Sequence, residues 1–115
     1  MKEMNSCNIK GVLIDVTSGK LERHAADALT VLLDENLARI SAYSCIEEAS
    51  DALNELAGFQ EELCVIAFRW DIELPSRLRQ FVREFDRSDD ITLRTNVFGK
   101  IKSGQFLITG KSDKP

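Results

Sequence analysis

Asp15, Thr17, Ser18 and Lys20 stand close together near the start of the chain, and acid, hydroxyl and lysine groups of this kind serve phosphoryl chemistry. Their spacing argues against it. A phosphate-cradling loop needs GxxxxGK[ST], so that successive backbone N–H groups wrap the phosphates and a hydroxyl meets magnesium. Here Thr17-Ser18-Gly19-Lys20 has no upstream glycine at that distance, and Leu21 follows the lysine. A DxD nucleophile pair is missing too, because Val16-Thr17 follows Asp15. His24 is the single histidine, with no cysteine or second histidine at ligand spacing and no adjacent nucleophile. Glu47, Glu48, Asp51 and Glu55 could attract a hard cation, but carboxylates strung along a helix lack the converging loop of an EF-hand. Cys7, Cys45 and Cys64 are odd in number and form no CxxC pair, which suits reduced thiols. No catalytic residue, metal site or cofactor is expected.

What the charged residues do offer is surface. Between Arg39 and Arg69 the chain carries six acids and no base. Glu47, Asp51 and Glu55 recur at i, i+4, i+8 on one expected helix, and Arg79, Arg83 and Arg87 repeat that spacing on the next. Each set lies opposite its helix's apolar stripe and forms a ridge of one sign. The net charge of −4 conceals this asymmetry: residues 1–66 hold five bases and twelve acids, residues 67–115 ten bases and seven acids. Such a dipole steers association without naming the partner.

These ridges need elements to carry them. At 115 residues, 43% hydrophobic and 30% charged, the chain has the size and balance of one water-soluble domain, with an ordered core over about 9–110. It has no apolar run near the ~20 residues of a membrane span and no apolar leader, so a cytoplasmic location is expected. Ile9–Val16 alternates like a strand with Val12, Ile14 and Val16 on one face, and Ser18-Gly19 would turn it into a second strand over Lys20–His24. Ala25–Glu35 has helical spacing, with Asn36 as its stop; Leu37–Tyr43 alternates like a strand. Ser44 and Glu47 fit a capping box for a helix whose stripe is Ile46, Ala49, Leu53 and Leu56, ended by Gly58. Leu63–Trp70 reads as a central strand. Pro75 or Ser76 opens a third helix packed through Leu78, Phe81, Val82 and Phe85, and Ile91–Phe98 and Gln105–Thr109 complete a sheet. The expected fold is α+β (mixed α/β), a single sheet with about three helices in the order ββαβαβαββ.

Two glycine-bounded segments, Gly11-Val-Leu-Ile-Asp-Val-Thr-Ser-Gly19 and Gly104-Gln-Phe-Leu-Ile-Thr-Gly110, resemble a family of small uncharacterised domains encoded by bacterial phages and integrative elements. The resemblance implies a mobile-element accessory protein and transfers no functional residue.

The sequence therefore points to a non-enzymatic protein that works by protein–protein interaction, with a second copy of itself as one candidate partner. In a homodimer the acidic ridge Glu47/Asp51/Glu55 would mate with the basic ridge Arg79/Arg83/Arg87, anchored by apolar groups such as Phe59 or Trp70. Nucleic-acid binding is the alternative, through Arg77, Arg79, Arg83 and Arg87 with Arg94, Lys100 and Lys102. Against it stand the acidic balance and the absence of an RNP-like aromatic motif. A third reading is an acidic inhibitor of a nuclease or defence enzyme. Carboxylates about 6 Å apart along a helix approach the ~7 Å phosphate spacing of a nucleic-acid strand.

Overall fold

The computed structural model describes residues 6–16, 19–85 and 90–107. Within them two short strands, β1 (Ser6–Ile9) and β2 (Val12–Asp15), precede four helices: α1 (Arg23–Ser41), α2 (Ser50–Phe68), α3 (Ser76–Glu84) and α4 (Ile91–Lys102). The class is mixed α+β, but helices dominate and the only sheet among the described residues is this antiparallel hairpin. The expected nine-element order gives way to ββαααα.

The first strand proves to be two. Lys10 and Gly11 both take positive φ, 49° and 90°, the backbone of a two-residue hairpin turn, and Asn8 Oδ1 accepts the Gly11 N–H at 2.9 Å. Pairing then runs from Ser6 opposite Asp15 to Ile9 opposite Val12. The alternation read from sequence survives inside the hairpin, since Ile14 is buried while Leu13 faces out. In place of the expected second strand, Lys20 makes an isolated bridge to Glu73, and α1 begins at Arg23.

Three expected strands are helix. Leu37–Tyr43 belongs mostly to the end of α1: the core positions Ala25, Leu29, Leu33 and Ile40 keep one helical phase past Asn36. The Asn36 amide donates to the Leu32 carbonyl one turn back and so decorates the helix without stopping it. Leu63–Phe68 continues α2, because Leu56, Phe59, Leu63 and Ile66 recur at three- and four-residue spacing and only that side is buried. Gly58 lies mid-helix; the stop is Asp71, at φ 56°, after which the Ile72 N–H returns to the Ile66 carbonyl at 3.1 Å. Ile91–Phe98 is the start of α4, whose N-cap Asp90 accepts from Thr92 N at 2.8 Å and Leu93 N at 3.4 Å. Gln105–Leu107 is not a strand, and the remainder of that expected element lies outside the described residues.

Helix α1 is the hub. It packs against β2, α2, α3 and α4, while α2 also packs on α3. An aromatic run, Phe59–Phe81–Phe85–Phe106, links α2, α3 and the segment after α4, with centroids 5.8, 5.5 and 6.5 Å apart. As expected, α3 opens at Pro75-Ser76 and buries Leu78, Phe81 and Phe85. Polar ties reinforce the packing. Buried Gln60 donates from Nε2 to the Val82 carbonyl at 2.9 Å, joining α2 to α3. Lys102 Nζ donates to the Ser41 and Tyr43 carbonyls, a cation set on the C-terminal end of α1 where the helix dipole favours it.

Candidate docking surface

Helix α2 packs on α1 and α3 and leaves one side to solvent. That side is a single stripe: Asp51, Asn54, Glu55, Gly58, Glu61, Glu62, Val65, Phe68 and Arg69 are all exposed. Its first two thirds are acidic and its end is apolar, since Val65 is 41% and Phe68 80% exposed, with Trp70 at 40% just beyond. All six carboxylates between Arg39 and Arg69 reach the surface, including Glu47 and Glu48 in the turn before α2.

The carboxylates are not equivalent. Glu55 accepts from Arg39 Nη2 at 2.5 Å, and this hydrogen bond, then the guanidinium charge, holds its carboxyl below the usual range; Lys10 adds to the effect. The same contact pushes the Arg39 guanidinium up, so it stays charged throughout. Glu48 Oε1 accepts the Ser44 N–H at 3.3 Å. The capping box expected of Ser44 and Glu47 is not formed: α2 begins at Ser50 with Ala49 as its N-cap and no side-chain cap bond. The Ser44–Glu48 contact closes the turn before it, and Glu47 stands before α2 and not on it. Of the expected acidic row, Asp51 and Glu55 share the helix.

The basic ridge is shorter than expected. Arg79 and Arg83 are exposed on α3, and Arg87 lies outside the described residues. Arg79 Nη1 donates to the Leu74 carbonyl at 3.2 Å. Together they line a groove between α2 and α3 with Ala67, Phe68, Ile72, Glu73, Leu74 and Val82, so the apolar end of the α2 stripe borders this groove at Phe68. Arg77, also counted among the basic contacts, instead clamps Asp34 at 2.6 Å and the Leu107 carbonyl at 3.2 Å. Arg94 donates to Asn54 Oδ1 at 3.0 Å, and Lys102 caps α1. Several of the cations that could have met phosphates are thus engaged within the chain.

Of the two expected apolar anchors, Phe59 is wholly buried in the core and unavailable to a partner. Trp70 is accessible, with the Arg69 guanidinium 6.0 Å from its ring centre. Phe68, the most exposed large apolar side chain among the described residues, was hidden in the sequence by its place in an apolar run. Helical phase from Leu56 through Leu63 would have turned Val65 and Phe68 outward beside Glu61 and Glu62. His24 is exposed, 3.6 Å from Glu22. Among the described residues no three His, Cys, Asp or Glu side chains converge as a metal site would require, and no helix is long and apolar enough to cross a membrane.

Among known proteins, the family model described as "Immunity protein CdiI-like" matches residues 21–103. The matched span covers all four helices and lies between the two glycine-bounded segments that suggested a phage-encoded family, a relationship it does not support. No curated protein and no solved structure matches the chain.

Proposed function

The chain belongs to the CdiI-like immunity protein family, and on that premise we propose that it protects its carrier by binding a protein toxin and covering it, with the outer side of α2 as the docking surface. The observation that carries this reading is the stripe itself. Nineteen residues of helix present carboxylates and no base from Asp51 to Glu62, then end in exposed Val65 and Phe68. Such a surface has a charged rim that steers encounter and an apolar anchor that slows release. The protein acts by stoichiometric occlusion and needs no catalytic group.

The toxin surface that fits is basic. Enzymes that act on nucleic acid present such surfaces, because they must neutralise phosphates, so a nuclease is the toxin class best matched to the carboxylates of α2. The acidic-inhibitor reading of the sequence thereby becomes the leading one. Nucleic-acid binding by α3 recedes, since Arg77 and Arg79 are held by the chain's own oxygens.

A toxin that kills its carrier must be inherited with its antidote, so the protein encoded beside this chain is the first toxin to test. Induced alone it should arrest growth; co-expressed with this chain it should not, and the two should elute as one complex. Glu61→Lys/Glu62→Lys should abolish protection while leaving the fold intact by circular dichroism. Full protection by that variant would show that the toxin docks elsewhere.

A further inference from the structure

The outer stripe of α2 is complementary to itself when reversed. Glu62 precedes Val65 by three residues and Arg69 follows it by four, distances of about 4.5 and 6 Å along the helix. On a helical projection Glu62 and Arg69 fall to one side of Val65, and Glu61 and Phe68 to the other. A two-fold axis at Val65, perpendicular to α2, lays a second α2 antiparallel on the first and keeps each side facing itself. Glu62 then meets the partner's Arg69, Phe68 lies along the aliphatic stem of the partner's Glu61, and Val65 meets its own copy. Every contact away from the axis occurs twice.

Gly58 provides an independent sign. It sits mid-helix and exposed, where glycine costs stability relative to alanine, yet a Cβ built there would touch nothing within 4 Å. Nothing among the described residues of the chain needs the missing side chain. In the reversed pair, Gly58 lies opposite the segment that follows the partner's α2, where Trp70 is exposed. A bare backbone there leaves room for the indole.

We infer that the occupant of the apolar end of α2 in the free protein is a second copy of the chain, forming an antiparallel two-fold dimer centred on Val65 with Glu62–Arg69 pairs on either side of the axis. The inference goes beyond toxin binding and is tested on the protein alone. Because Glu61 and Glu62 belong to both surfaces, a toxin seated on α2 and a second copy exclude one another.

Sedimentation equilibrium over a concentration series tests it. The wild type should dimerise reversibly, and Phe68→Asp, at an exposed site that the fold does not need, should be monomeric. Glu62→Arg alone sets two arginines face to face, and Arg69→Glu alone two glutamates; each should weaken the dimer at least tenfold. The double exchange Glu62→Arg/Arg69→Glu should restore it, and mixing the two single variants should yield a heterodimer. Gly58→Gln should raise the melting temperature of the monomer yet weaken association. A wild type monomeric at every concentration, a Phe68→Asp dimer as strong as wild type, or a double exchange that restores nothing would each overturn the inference.

Discussion

Arg39 and Glu55 join α1 to the acidic stripe through one exposed hydrogen-bonded ion pair. A carboxyl with a depressed pKa in the folded state adds stability above its unfolded pKa and loses that contribution as pH falls through the folded value. Glu55 therefore contributes at neutral pH and ceases to in acid. Both groups are about half exposed, so the effect on folding is small, but the titration itself is a clean reporter. Arg39→Ala should return the Glu55 midpoint, followed by carboxyl-carbon NMR, upward into the ordinary carboxylate range. An unchanged midpoint would mean that the pair does not form in solution. Because Glu55 is already paired with Arg39, reversing Asp51 or Glu62 is expected to affect partner binding more than reversing Glu55. Residue types alone did identify the acidic stretch between Arg39 and Arg69. What they could not show is which of its members answers to a base elsewhere in the chain, because Arg39 and Glu55 meet only after α1 and α2 pack.

Among the elements, α3 is short yet central, because Phe81 stacks between Phe59 of α2 and Phe85. Phe81→Ala should cost roughly 3–5 kcal/mol, read as a lower denaturation midpoint in urea. A variant melting within a degree or two of wild type would show that α3 is not docked. Helix α3 was legible because its apolar residues recur at helical spacing between a proline start and a charged surface. Ile91–Phe98 was misread because an apolar–polar alternation suits either period over so few residues, and the cap that decides it, Asp90, lies just outside the run. Leu63–Phe68 failed for a related reason: a continuous apolar run looks like a strand covered on both faces, yet here half of it is covered by α1 and α3 and half faces water. That error hid Phe68, and with it the apolar end of the candidate surface. Element type and site were thus lost together.

Across the whole molecule, charge is divided by element. The outer side of α2 is acidic, and the cations of α1, α3 and α4 are largely turned to internal tasks: Arg39 on Glu55, Arg77 on Asp34, Arg94 on Asn54 and Lys102 on the end of α1. Chain-wide balance located the excess of acids but not its use, since a cation bonded at home and one offered to a partner are identical in composition. The same division predicts poor nucleic-acid binding: retention on DNA or RNA should be weak at low salt and vanish at physiological ionic strength. It also allows a comparison between the two charged surfaces, the α2 stripe and the α3 groove, which meet at Phe68. The deciding measurement is the affinity of the purified neighbouring toxin for three proteins: wild type, Glu61→Lys/Glu62→Lys, and Arg79→Glu/Arg83→Glu. If α2 is the docking surface, reversing its two carboxylates should weaken binding a hundredfold or more, while reversing the two α3 arginines should change it less than threefold. The opposite ranking would contradict the account and move the toxin to the groove beside α3.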